Sequence, residues 1–176
     1  MRTPTQRARK PASHSAAPDA GLTAELASVV AGARRRAQRD GDSRTDTAHL
    51  LHSLLESDPE VRAAFDGGQL AKVLGYLVQR SIGYGLRWQG TVEDSGAVPV
   101  VLPPAAAGCS PAAATALGGA RRRAAMRGEK RANGLDLLAA LAADPASRAV
   151  EVLHHAGVDT ASLASRIGRL SQQVSP

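Results

Sequence analysis

Apolar residues recur every three or four positions along most of the chain, a spacing that predicts amphipathic α-helices. The first run extends from Leu22 to Ala37, with Thr23 as a suitable N-cap and Gly41 just beyond its end. Three further helices are predicted to begin at Asp46 or Thr47, at Asp58-Pro59 and shortly before Leu70. Four consecutive helices are therefore expected in this part of the chain.

Glycine and proline interrupt the helical pattern between residues 81 and 108, which predicts a linker. Residues 86–92 and 97–102 form a candidate hairpin within it, with Pro99 confining the second run to an edge. The helical pattern resumes at Ser110-Pro111 and continues to about Leu170. Residues 1–20 contain three prolines, several charges and no apolar period, so they predict a disordered basic arm.

The two helical stretches repeat one another at an offset of 87 positions. The pentapeptide of residues 33–37, Ala-Arg-Arg-Arg-Ala, recurs at 120–124, Gly41 matches Gly128, and the leucine pair 50–51 matches 137–138. Ordered agreement of this kind indicates a tandem repeat. Each unit is too small to bury its apolar faces alone, so an all-α fold of two four-helix repeats packed with pseudo-twofold symmetry is predicted. The predicted boundaries are 21–80 for repeat one, 109–170 for repeat two and 171–176 for a tail.

Composition narrows the classes of protein. Of the 176 residues, 43% are hydrophobic but only 2% are aromatic, and no long apolar run predicts a membrane span. The net charge of +6 permits nucleic acid, an anionic membrane or an acidic protein as partner and does not choose between them. A single cysteine, Cys109, excludes an intramolecular disulfide, and no secretory signal follows the basic N-terminus, so we expect a cytoplasmic protein.

The repeat resembles the Clp N-terminal repeat, double copies of which form the N-terminal domains of bacterial Clp unfoldases such as ClpA and ClpC. The likeness rests on a first helix that ends at a small-residue and glycine turn, a Leu-Leu helix, a short Asp-Pro helix and a last helix after a Gly-Val-Asp turn. It covers about residues 22–170. The segments that carry it are Leu22 to Gly41, residues 47–51, Ser110 to Gly128, residues 133–138 and residues 156–159.

The resemblance implies an all-helical, non-catalytic domain that docks substrates and adaptor proteins and, in ClpC-type members, binds phosphoarginine and cyclic-peptide antibiotics. The family carries a glutamate near the start of the second helix of each repeat, where this chain has Ala48 and Leu135. Loss of both carboxylates removes the charge-assisted bonds to a guanidinium, so phosphoarginine binding of the family type is not expected. Cys109 replaces the aromatic residue that usually precedes the second Ser/Thr-Pro, which weakens a cyclic-peptide pocket.

No G-x-x-x-x-G-K-[ST] motif is present, so the phosphate loop of the unfoldase motor is not expected here. We predict a stand-alone double Clp-N protein that acts by binding, as an adaptor or a decoy within the Clp protease system. Its expected partners are Clp unfoldase or protease components, their substrates, and cyclic-peptide ligands. The candidate ligand-binding residues are Leu22, Thr23, Val30, Ala48, Tyr84, Trp88, Cys109, Ser110 and Leu135.

Residues with catalytic or metal-binding chemistry form no recognisable set. His49 and His52 have a spacing that suits a metal, but no third ligand accompanies them, and a helix-surface pair is the better interpretation. His154 and His155 are expected to complement a helix C-terminus. Cys109 has no adjacent base, which favours a buried or idle thiol. We therefore predict no enzymatic activity, no cofactor and no metal.

Two arginine triplets leave a second function open. Three consecutive residues fan over about 200° of a helix, so a solvated face is the default interpretation. Pseudo-twofold packing could instead gather them into a basic patch, and with the arm they would make a DNA-binding regulator with steep salt dependence. Trp88, in the linker, either covers a helix junction or belongs to an exposed recognition loop. The candidate basic patch is Arg34, Arg35, Arg36, Arg121, Arg122 and Arg123.

Overall fold

The computed structural model describes residues 20–81, 88, 91–94 and 108–174. These residues form an all-α fold, as predicted, with no strand apart from two isolated β-bridges. Almost all of the basic arm, most of the candidate hairpin, and Tyr84 lie outside the described residues. The α-helices are α1 (Ala24–Arg39), α2 (Thr47–Ser57), α3 (Pro59–Arg62), α4 (Gly67–Val78), α5 (Pro111–Met126), α6 (Gly134–Ala142), α7 (Arg148–His155) and α8 (Thr160–Val174).

The predicted helix starts are confirmed by their capping bonds. Thr23 Oγ1 accepts from the backbone N–H of Leu26 at 3.2 Å, and Ser110 Oγ accepts from that of Ala113 at 3.1 Å. Asp58 caps α3 in the same way. These side chains satisfy backbone donors that the helix itself leaves unpaired. Helices α1 and α5 consequently begin and end at positions that differ by the 87-residue offset.

Two short backbone bridges join the repeats. A shift of 87 positions converts the residues of one bridge into those of the other. The N–H of Thr23 donates to the carbonyl of Ala132 at 2.9 Å, and the N–H of Ser110 donates to the carbonyl of Thr45 at 2.8 Å. Ala132 and Thr45 each return a bond of 2.8 Å through their own N–H groups. Each repeat thus ties the start of its first helix to the loop before the other repeat's second helix. This reciprocal pattern is consistent with the predicted pseudo-twofold packing.

The repeats differ in their second halves. Helix α3 has four residues whereas α7 has eight, so the constant offset is lost after the second helix of each repeat. Helix α8 also continues past Leu170, where the apolar pattern ends, to Val174. The core between these elements is mainly leucine, valine and alanine. None of the described helices has the length and apolarity that crossing a membrane requires.

Adjacent glycines inside α5 have different neighbours. A Cβ atom on Gly119 would lie 3.2 Å from the Cβ of Ala140 on α6, whereas one on Gly118 would meet only the Arg122 guanidinium, at 3.6 Å. At Gly32, which is 87 positions before Gly119, an added Cβ would lie still closer to α2, 2.7 Å from Ser53 Oγ. The close approach therefore explains Gly119 and not Gly118.

Substitution of these two glycines is expected to separate helix propensity from packing. Gly118→Ala is expected to raise the free energy of unfolding by about 0.5–1 kcal/mol, because alanine fits the helix interior and meets no close neighbour. Gly119→Ala is expected to gain less or to destabilise, since α6 must move by a few tenths of an ångström. Urea denaturation measures both. A Gly119→Ala variant more stable than Gly118→Ala would contradict this packing.

Candidate functional site

An open groove of about 660 Å³ lies where α1, α3 and α6 begin. We call it the inter-repeat groove. The first turns of α1 form one wall, residues 57–60 form the second, and Asn133 and Gly134 form the third. Val174, at the end of α8, closes one end. Both repeats contribute to this groove, so it exists only when they are packed together.

Gly134 allows the wall formed by α3 to approach α6. A Cβ atom there would overlap Asp58 Oδ2 and would lie 3.0 Å from Val61 Cγ2. Asp58 is held in place because its Oδ1 accepts from the N–H groups of Glu60 and Val61, at 3.0 and 3.2 Å. The capping of α3 therefore also fixes the shape of the inter-repeat groove.

A smaller cavity of about 200 Å³, which we call the second groove, occupies the corresponding place beside α5 and is also lined by Thr47 of repeat one. Several of its lining positions are those of the inter-repeat groove shifted by 87 residues. Thr47 stands where the other groove has Gly134, and its Oγ1 accepts from the N–H of Ala149 at 3.0 Å. The equivalent pairs are Glu25 and Ala112, Ser28 and Thr115, Val29 and Ala116, and Gly134 and Thr47. The loop before α7 adds Asp144 and Ser147 to the second groove, and Ser147 caps α7 as Asp58 caps α3.

A buried polar cluster, which we call the polar lock, joins the linker to both repeats. Its centre is Asp46, 2% exposed, which accepts from Arg80 Nη1 at 2.9 Å and Arg148 Nη1 at 2.8 Å. Asp46 also accepts from the N–H of His49 at 2.9 Å. Burial opposes ionisation of this carboxyl, but the bonds from His49 and Arg80 outweigh it and hold the pKa of Asp46 well below its usual range. The polar lock consists of Asp46, Arg80, Trp88, Glu93 and Arg148.

Trp88 covers the polar lock. The guanidinium carbons of Arg80 and Arg148 lie 5.1 and 5.2 Å from its ring centroid, within the range of cation–π attraction. The side chain is 9% exposed. Arg148 also donates to the Thr91 hydroxyl at 2.7 Å, three residues along the linker. In this structure Trp88 therefore covers the junction of the two repeats and is not an exposed recognition residue.

Glu93 accepts hydrogen bonds from the first residues of two helices. The backbone N–H groups of Thr47 (α2) and Arg148 (α7) each donate to its carboxylate at 2.8 Å, and Ser110 Oγ lies 3.4 Å away. Burial raises the pKa of this carboxyl. Helix N-termini favour negative charge, which accounts for a buried carboxylate here. Sequence reasoning missed this contact because Glu93 lies in an irregular linker with no pattern to mark it.

Most of the predicted ligand-binding residues lie in the core. Thr23 is half-buried and lines the inter-repeat groove, whereas Tyr84 lies outside the described residues. Ala48 and Leu135 are each 1% exposed, directly after Thr47 and Gly134 in the two groove walls. Ligand contact by this set remains a prediction. The members with buried side chains are Leu22, Val30, Ala48, Trp88, Cys109, Ser110 and Leu135.

The arginine triplets are partly engaged within the molecule. Arg36 forms an ion pair with Glu56, and Arg123 Nε lies 3.8 Å from an Asp136 carboxylate oxygen. Arg121 Nε donates to the carbonyl of Ala20 at 3.3 Å. Arg35 and Arg122 are exposed, and Arg34 is half-buried. These contacts reduce the positive charge that the triplets offer to a partner, and a single gathered patch remains a prediction.

His49 and His52 are both buried on α2, not at its surface, and they face different partners. His49 Nδ1 lies 3.0 Å from both the backbone nitrogen and Oδ1 of Asp46, and Nε2 lies 3.0 Å from Asp42 Oδ2. Asp40, Asp42 and His49 bring ligand atoms within 4.8 Å of one another, a grouping that the sequence spacing did not show. Burial lowers the pKa of His52 to about 4.

Comparison with known proteins identifies the fold. The sequence matches no protein-family model and no curated protein. The structure is similar to the N-terminal domain of the caseinolytic protease associated chaperone ClpD from Arabidopsis thaliana, with TM-score 0.59 and 16% identity over 86% of this chain and 95% of that one. A structure from preliminary investigations of a malarial protein secretion system gives TM-score 0.63 and 13% identity over 88% and 97%. The chain therefore has a Clp N-terminal-like, all-α fold.

Proposed function

We propose that this chain is a non-catalytic binding protein of the Clp system that takes clients, adaptor proteins or peptide-like ligands in place of an unfoldase's own N-terminal domain. One observation carries the proposal: in a fold similar to a Clp N-terminal domain, both repeats shape an open groove of about 660 Å³. That volume lies within the range of about 300–1,000 Å³ that is typical of ligand sites. Binding alone then sets the outcome through mass action.

The same groove serves two modes of action. As a decoy, the chain withdraws clients or cyclic-peptide ligands from the unfoldase and slows degradation. As an adaptor, it delivers clients and accelerates degradation. Both modes act where the Clp protease acts, which we propose is the cytoplasm, and the sign of the rate change distinguishes them.

Filling the inter-repeat groove is expected to abolish either effect. Ser28 is exposed and lines the groove, so Ser28→Trp places an indole in it without entering the core. Thr115→Trp is the matched control, since Thr115 is the equivalent exposed residue of the second groove. In a Clp unfoldase–protease assay with a fluorescent client, wild type and Thr115→Trp are expected to change the degradation rate. Ser28→Trp is expected to require about tenfold more protein or more for the same effect.

Two outcomes would reject this function. If wild type leaves the degradation rate unchanged at every concentration, the chain is neither adaptor nor decoy for that protease. If Ser28→Trp acts as well as wild type while circular dichroism shows both folded, the inter-repeat groove is not the binding surface.

DNA binding through exposed arginines is a second candidate function. Arg35 and Arg39 flank Gln38 over a shallow depression of about 430 Å³ on α1. Binding there would be electrostatic, so retardation of DNA would weaken steeply as salt rises. The pairing of Arg36 and Arg123 with carboxylates makes this candidate the weaker of the two.

A further inference from the structure

The two grooves differ in charge although they occupy equivalent positions. Glu25, Asp58 and Glu60 line the inter-repeat groove, and none of the described residues that line it is basic. At the position equivalent to Glu25 the second groove has Ala112, and Ser147 caps α7 where Asp58 caps α3. The charged residues that line the second groove are Asp144 and Arg122, which offset one another. A chain of net charge +6 has thus concentrated negative charge in its larger groove.

Helix capping does not account for this difference. Carboxylates commonly occupy the first turn of a helix because they complement its dipole. Helix α5, however, starts with no acidic residue in its first turn, although it is equivalent to α1, which has Glu25. Helix α3 already has Asp58 as its N-cap and does not need Glu60 for that purpose. The extra carboxylates are therefore not required for the helices to form.

These carboxylates also lack cationic partners in the part of the chain that the structure describes. Ion pairs elsewhere engage Glu56, Asp66 and Asp136, but none involves Glu25, Asp58 or Glu60. Glu25 and Glu60 are exposed, and Asp58 is half-buried. Unpaired like charges around one concave surface attract an external cation and repel an anion.

We propose that the inter-repeat groove selects basic, unphosphorylated peptide segments, in which an arginine or lysine side chain meets Glu25 and Glu60. This inference rests on the proposed function and names its ligand class. A guanidinium gains charge-assisted hydrogen bonds from carboxylates, whereas a phosphate group would face three like charges. Neighbouring apolar residues of the segment contact Pro59 and Val174, the latter 48% exposed at the end of the groove.

Fluorescence anisotropy with three peptides tests this selectivity. The probe is a fluorescein-labelled octapeptide with two arginines between leucines, compared with versions that carry citrulline or phosphoarginine in their place. Wild type is expected to bind the arginine peptide about tenfold more tightly than either counterpart. The double variant Glu25→Gln/Glu60→Gln is expected to lose that preference. The control variant Glu129→Gln/Asp144→Asn removes the same amount of charge outside the inter-repeat groove, and we expect it to keep the preference for the arginine peptide.

Several outcomes would overturn the inference. Equal affinity for the arginine and citrulline peptides would show that charge does not select the ligand. Equal weakening by both double variants would show that only net charge matters. If no arginine peptide binds while Ser28→Trp still abolishes the effect on Clp degradation, the ligand class is wrong and the proposed function stands. If the arginine peptide binds as expected while Ser28→Trp changes degradation as much as wild type does, the ligand class stands and the proposed function is wrong.

Discussion

Asp46→Ala is expected to lower the free energy of unfolding by about 3–5 kcal/mol, because it leaves two buried guanidinium groups without their carboxylate. Arg80 and Arg148 reach Asp46 from different repeats, so the loss also weakens the contact between the two halves of the protein. Denaturation by guanidinium chloride, followed by circular dichroism, measures the change. The control is Asp66→Ala, since Asp66 is 76% exposed and its ion pair with Arg166 is expected to contribute less than about 1 kcal/mol.

The Asp46 carboxylate also makes the free energy of unfolding depend on pH in the acid range. Its pKa is lowered in the folded state, so its contribution is fully present above the ordinary value of 3.8 and is lost as pH falls below it. Asp46→Asn is expected to remove this part of the acid sensitivity while retaining a capping oxygen. A destabilisation by Asp46→Ala no larger than that of Asp66→Ala would contradict the importance of the polar lock.

Trp88→Ala is expected to cost about 3–5 kcal/mol of the free energy of unfolding, the usual range for a large aromatic side chain removed from a core. The reason is its burial against Arg80 and Arg148. The same denaturation experiment measures the loss. At temperatures where the variant stays folded, binding in the inter-repeat groove is expected to be unchanged, because Trp88 does not line it. Trp88→Phe retains part of the packing and is expected to lose less.

If Trp88→Ala preserves stability but weakens binding of clients, the linker presents this side chain to partners, as the recognition-loop alternative predicts. The structure favours the covering role because the ring is nearly buried.

Local signals were sufficient to predict the helical architecture. Apolar spacing, the caps Thr23 and Ser110, and the Asp58-Pro59 pair each depend on residues a few positions apart, and the structure confirms them. The extension of α8 to Val174 was not predicted because the residues after Leu170 are mostly polar. Helix propensity and end effects decide such positions, and their sequence signal is weak.

Contacts between distant residues were not predictable in the same way. Glu93 binds the N–H of Arg148, which lies 55 positions later, and no periodicity connects a linker residue with a helix start. The burial of Ala48 and Leu135 was also not evident from the family motif, which marks positions without giving their exposure. The asymmetry of the grooves did have a signal, since comparing residues 87 positions apart sets Glu25 against Ala112.

Binding in the inter-repeat groove is tested by mapping where a client binds, through amide chemical-shift changes in the isotopically labelled protein. An unfolded client of a Clp protease is titrated into the full chain. We expect shifts at Thr23, Ser28 and Gly134 in the inter-repeat groove, with Arg35 and Arg39 unaffected. Shifts confined to the arginine surface, with the groove residues unchanged, would contradict binding in this groove.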